Sequence, residues 1–144
     1  MSTLTSTDLT VADANITTLK DASGGNSSIP ADIFEGRAKA WCNLNGVGTP
    51  AFRDSFNCAS ITDNAAADHT INLTDALPNA NYAVLISTGT LADGSGHQIV
   101  TLHRINSTGV HVPPTTSAFR YSSANTGAAT TESAFITCVV FCGA

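Results

Sequence analysis

The chain has 144 residues, a formal net charge of −5, 42% hydrophobic residues and only 12% charged ones. That is room for one domain with an appendage, and its charged fraction is about half the roughly 25% usual in globular proteins. The six Lys and Arg are scattered, which excludes a basic footprint for nucleic acid, and no run approaches the roughly 18 apolar residues of a helical membrane span.

Residues 1–28 read as an arm. They hold Leu4, Leu9, Val11, Ile16 and Leu19 among many threonines, with a Gly24-Gly25-Asn26 break. So few apolar groups cannot bury enough surface to fold alone. Fully extended, the segment would reach on the order of 90 Å. The five apolar residues are therefore candidate interface positions, covered only when the arm meets another chain. The first ten residues lack the basic start and apolar run of a secretory signal, so the expected site of synthesis is the cytoplasm.

Ser28 to Gly36 carries helix signals: a capping serine, Pro30 near the first turn, Asp32 at the positive end and Gly36 at the stop. A helix of one or two turns is predicted there, as a hinge. The expected division is an arm with hinge over residues 1–35 and a head over residues 36–144.

From Arg37 the period is two. Ala38, Ala40, Cys42 and Leu44 fall on one face, and Arg37, Lys39, Trp41 and Asn43 on the other. Phe52, Phe56 and Cys58 share a parity in the next run, followed by Ile71 and Leu73, and then Tyr82, Val84 and Ile86. Later runs are His97 to Ile105, Val110 to Val112, Phe119 to Tyr121 and Ala134 to Cys142. Turn residues separate them, at Asn45-Gly46, Asp63-Asn64, Pro78-Asn79, Asp93-Gly94, Ser107-Thr108-Gly109, Pro113-Pro114 and Asn125-Thr126-Gly127. About eight short strands without intervening helices predict an all-β chain, with an antiparallel β-sandwich or jelly-roll head and an extended N-terminal arm. The scarcity of Lys, Glu and Met beside 34 Ser plus Thr argues the same way.

Chemistry-bearing residues are few. Cys42, Cys58, Cys138 and Cys142 are candidate disulfide partners, and equally small buried hydrophobes. Cys138 and Cys142 lie about 13 Å apart along one strand, beyond the roughly 7 Å Cα limit for bonding each other. No C-x2-C pair exists, so no metal site is expected. His69, His97, His103 and His111 lack ligand partners at useful spacing and read as exposed or half-buried. No nucleophile elbow or phosphate loop is present, so no catalytic residue, cofactor or enzymatic activity is expected. Trp41 suits either a subunit interface, the preferred reading, or a platform for a sugar ring; Tyr82 is the other sugar-stacking candidate.

Gly36-Arg-Ala-Lys-Ala-Trp-Cys-Asn-Leu-Asn-Gly46, followed by Arg53-x-Ser-Phe-Asn57 and Ser60-Ile-Thr-Asp-Asn64, is the most distinctive stretch. With Asp68-His-Thr-Ile-Asn-Leu73, Leu77-Pro-Asn-Ala-Asn-Tyr-Ala-Val84, Ser117-Ala-Phe-Arg120 and the apolar run Phe135 to Phe141, it resembles a module of small tail-fibre-like virion structural proteins of tailed bacteriophages, the type found in phages of cyanobacteria and marine bacteria. The resemblance covers residues 36–144 and, more loosely, Leu19 to Ser28. Cys42 and Cys58 stand where that pattern has valine, and Ala65 to Ala67 replaces a Gly-rich turn.

The resemblance implies a virion structural protein without catalytic residues. A polar arm joined to a β head suits a homotrimer whose arms associate along an axis. The expected product is a tail-fibre or host-adhesion component of the virion, with a capsid decoration protein as the alternative. Expected partners are further copies of itself, other virion proteins met through the arm, and a host surface glycan. Nucleic acid and membrane insertion are not expected.

Overall fold

The computed structural model describes residues 19–20, 27–28, 30–89, 98–102, 111–127 and 129–143. The chain forms two compact units, Met1–Phe34 and Glu35–Ala144. Of the arm, Leu4, Leu9, Val11 and Ile16 lie outside the described residues. Strands β1 (Leu19–Lys20) and β2 (Ser27–Ser28) pair antiparallel, so the chain doubles back on itself here. A uniformly extended arm does not hold over this stretch; the intervening sequence contains Gly24-Gly25-Asn26, residues suited to reversal. Helix α1 (Pro30–Gly36) follows, as its proline and glycine dictate.

The second unit is an antiparallel β-sandwich. Its strands are β3 (Ala40–Asn45), β4 (Ala51–Phe56), β5 (Cys58–Ala65), β6 (Asp68–Leu73), β7 (Ala83–Thr88), β8 (Gln98–Leu102), β9 (Ala118–Asn125) and β10 (Ile136–Phe141). One sheet has the order β4-β3-β10-β7 and the other β5-β6-β9-β8. The chain changes sheet between β4 and β5, β6 and β7, β7 and β8, and β9 and β10. The first and last head strands, β3 and β10, lie side by side, and β6 pairs with β9. The order is that of an antiparallel sandwich with hairpins within each sheet, not the 1-8-3-6 and 2-7-4-5 order of a jelly roll.

Alternation sorts side chains between the core and the two outer faces. Ala40, Cys42, Leu44, Ile136, Cys138 and Val140 of the first sheet meet Ile71, Leu73, Phe119 and Tyr121 of the second, with Leu77 and Cys142 completing the core. Gly46 closes the β3 end: its N–H donates to the Ser133 carbonyl at 2.9 Å, and an added Cβ would sit 3.0 Å from that same oxygen. Backbone contact of that kind leaves room for glycine alone.

Two predicted features are corrected. Asp63-Asn64 is not a turn but part of β5; the reversal falls at Ala66-Ala67, where Ala67 adopts φ 60 while fully buried. Of the predicted run Val110–Val112, Val110 lies outside the described residues, His111 makes a bridge and Val112 stands in no strand.

Candidate self-association face

Across the outer face of the first sheet, one row crosses all four strands. Phe56 of β4 lies opposite Trp41 of β3, Trp41 opposite Val139 of β10, and Val139 opposite Leu85 of β7. Phe56 is 53% exposed, Trp41 37% and Leu85 58%. These three together leave on the order of 300 Å² of apolar surface in water, the size of the largest patch on many monomers and often a functional one. A shallow groove of about 560 Å³ runs beside them, lined by Val84, Leu85, Ile86, Ser87, Thr137 and Val139. The next row is polar, with Asn43, Asp54, Thr137 and Ser87; the Ser87 and Thr137 hydroxyls lie 2.6 Å apart.

A β-bulge explains why this row was only partly visible in the sequence. The β3–β4 register shifts between Asn43 and Leu44, so that Asp54 pairs with Asn43 and Phe52 with Leu44, leaving Arg53 as the extra residue. Arg53 is held there by donation to the Leu44 carbonyl at 2.6 Å and lies 4.3 Å over the Phe135 ring. One inserted residue inverts the parity. Phe52 packs on the core while Phe56 faces out, against the expectation that they point the same way. Leu85 was legible in principle, since Ala83-Val84-Leu85-Ile86 is apolar at successive positions and a strand apolar on both faces wants both covered.

The outer face of the second sheet has the opposite character. Asn72 donates to Ser60 Oγ at 3.1 Å and to Thr62 Oγ1 at 2.9 Å, and Asn64 donates to Thr70 Oγ1 at 2.9 Å. Arg120 clasps Asp68 through Nε and Nη2, both at 2.7 Å. It bears hydroxyls, amides and one internal ion pair, with Ile99 of the edge strand β8 as its exposed apolar residue among those described. Tyr82 packs partly buried against the core, its hydroxyl donating within 2.9 Å of both the Thr115 and Ala118 carbonyls, and burial pushes its pKa up to about 12.

The four cysteines are thiols. Cys42 and Cys138 are direct cross-strand partners, and the Cys58 sulfur lies 3.5 Å from the Trp41 carbonyl. Cys142 sits apart, its sulfur 3.2 Å from the Gly143 carbonyl and 3.9 Å from that of Asn79. No group of three or more His, Cys, Asp or Glu is placed to hold a metal ion among the described residues.

His69 departs from expectation. It is 1% exposed, between Asp63 Oδ1 at 3.8 Å from Nε2 and the Tyr121 ring at 5.5 Å. Neither of its ring nitrogens nor the Tyr121 hydroxyl has a hydrogen-bond partner among the described residues. Burial lowers the His69 pKa from its ordinary 6.5, opposed by the charges of Asp63, Glu132 and Asp68. The folded head therefore resists protonation that the unfolded chain accepts. Stability is fully present above pH 6.5 and is lost as pH falls through the window below it. The urea midpoint should drop between about pH 7.5 and about pH 5.5, and the drop should shrink in His69→Leu. Equal pH dependence in parent and variant would remove His69 as its cause.

No family model, no curated protein and no solved structure matches the chain.

Proposed function

We propose that this protein is a structural component of a tailed-phage virion, a homotrimeric tail-fibre or host-adhesion protein that assembles through the Trp41 face. The observation that carries the reading is the row Phe56–Trp41–Val139–Leu85, apolar across the full width of one sheet, while the opposite sheet bears hydroxyls and amides over β5 and β6. The hydrophobic effect drives the first face toward other copies. The second, wettable and nearly uncharged, suits a hydrated partner such as a host glycan. The virion assignment rests on the sequence resemblance over residues 36–144, and attachment to the particle is assigned to the arm.

Leu85→Asp is the direct test of assembly. A charge at the outer end of the row is expected to convert the trimer to monomers by light scattering, with an unchanged far-UV spectrum. A parent protein that is already monomeric at micromolar concentration would sink the assembly reading. Copy number per purified particle tests the virion reading separately. A small multiple of the tail symmetry supports the fibre, and absence from particles overturns the virion assignment. The second reading is capsid decoration, and a copy number near that of the major capsid protein would establish it.

A further inference from the structure

Three thiols meet where the chain passes from the first sheet to the second. Cys42 lies directly opposite Cys138 across β3 and β10, and the Cys58 sulfur sits 3.5 Å from the carbonyl of Trp41, the residue next to Cys42. Cys42 and Cys138 are buried, on the interior strands β3 and β10, each of which is paired on both sides. Cys58 is only half-buried and opens β5, an edge strand, directly after Asn57 at φ 54 and directly before a register shift between Cys58 and Ser60. Of the three, Cys58 is the one with surface in water and a place on a strand paired on one side only.

We propose that these residues form an oxidisable site in which Cys58 is the entry point and the product is a Cys42–Cys58 disulfide joining the two sheets. A low-molecular-weight disulfide RSSR supplies the oxidising equivalents. The Cys58 sulfur, as thiolate, attacks one RSSR sulfur; the S–S bond breaks, and RS⁻ leaves and takes up the proton that Cys58 released. The Cys42 sulfur then attacks the Cys58 sulfur of the mixed disulfide. A second RSH leaves, and the protein's two thiols have become one disulfide while RSSR has become two RSH.

Geometry selects this product over Cys42–Cys138. Directly opposed residues of antiparallel strands hold their Cβ atoms about 4.5–5.5 Å apart. A disulfide wants about 3.8 Å. Two interior strands, held by neighbours on both sides, cannot close that gap without disturbing both ladders. Cys58 stands on an edge strand, with a single ladder beside it. Cys142 is outside the cluster and stays a thiol.

The step is slow. Hydrogen bonding from Cys138 and burial push the Cys42 thiol up, though Cys58 opposes this; hydrogen bonding with Cys42 and burial push the Cys58 thiol up. The attacking thiolate is scarce near neutral pH, so the site stays reduced during synthesis and closes on long exposure to an oxidising medium.

The test is to incubate the full-length reduced protein with excess oxidised glutathione at about pH 8, trap remaining thiols with N-ethylmaleimide after denaturation, and map the peptides. Wild type should lose two of its four thiols and yield a Cys42–Cys58 peptide. Both Cys42→Ala and Cys42→Ser should stall as a glutathione adduct on Cys58, the pair guarding against one variant failing to fold. Cys58→Ser should keep its three remaining thiols. Four intact thiols in wild type, a link containing Cys138 or Cys142, a first adduct on Cys42 or Cys138, or thiol loss from Cys58→Ser at the wild-type rate would each overturn the proposal.

Discussion

Arg120→Ala is expected to destabilise the head by about 3 kcal/mol in urea unfolding. The Asp68 carboxylate is 3% exposed and receives both guanidinium bonds at 2.7 Å. Truncating Arg120 leaves that carboxylate in the sheet without its main counter-charge, and breaking a buried pair from one side costs roughly 3–5 kcal/mol. The lower end applies because the Arg120 side chain keeps 18% of its surface in water. Removing both charges, as Asp68→Asn with Arg120→Met, should cost less than Arg120→Ala alone. A single variant within about 1 kcal/mol of the parent would show that the pair contributes little.

The second large effect is a contrast between two phenylalanines. Phe119→Ala should cost about 3–5 kcal/mol of folding stability, since Phe119 is 1% exposed and sits opposite Ile71 in the middle of the core. That is a large part of the 5–15 kcal/mol a domain has in all, so the variant should be partly unfolded at 37 °C. Phe56→Ala removes the same ring from the outer row and should leave the monomer's stability within about 1 kcal/mol. Its effect should fall instead on assembly, as a weakened trimer. Denaturation of dilute protein and sedimentation of concentrated protein separate the two. Equal losses of folding stability would mean that Phe56 belongs to the core of the isolated head.

The alternation of Ala40, Cys42 and Leu44 against Trp41 and Asn43 was readable because a paired strand has a strict period of two and small or apolar residues filled every second place. The helix at Pro30–Gly36 was readable from its end residues. The outward turn of Phe56 was not, because a bulge is one extra residue in one strand and leaves no mark in composition. The burial of His69 escaped for a different reason. Its strand, Asp68–Leu73, alternates cleanly, and the parity of Ile71 and Leu73 already placed His69 inward; the usual preference of histidine for partly exposed sites pointed the other way. The turn at Ala66-Ala67 was hidden because alanine at positive φ has no sequence signal, where the glycine of the resembled pattern would have shown it. The meeting of Cys42, Cys58 and Cys138 required the sheet order, which no local pattern encodes.

The bulge at Arg53 and the two register shifts in β5 fall on strands that stand at the margins of their sheets. An irregular margin cannot template a further strand, because its N–H and C=O groups no longer present an even ladder. Copies crowded together are thus denied strand-by-strand growth along that border, the route by which sheets run on into fibrils. The opposite margins, β7 and β8, keep a regular register. The same inserted residue that turns Phe56 outward therefore also closes the β4 border to a further strand.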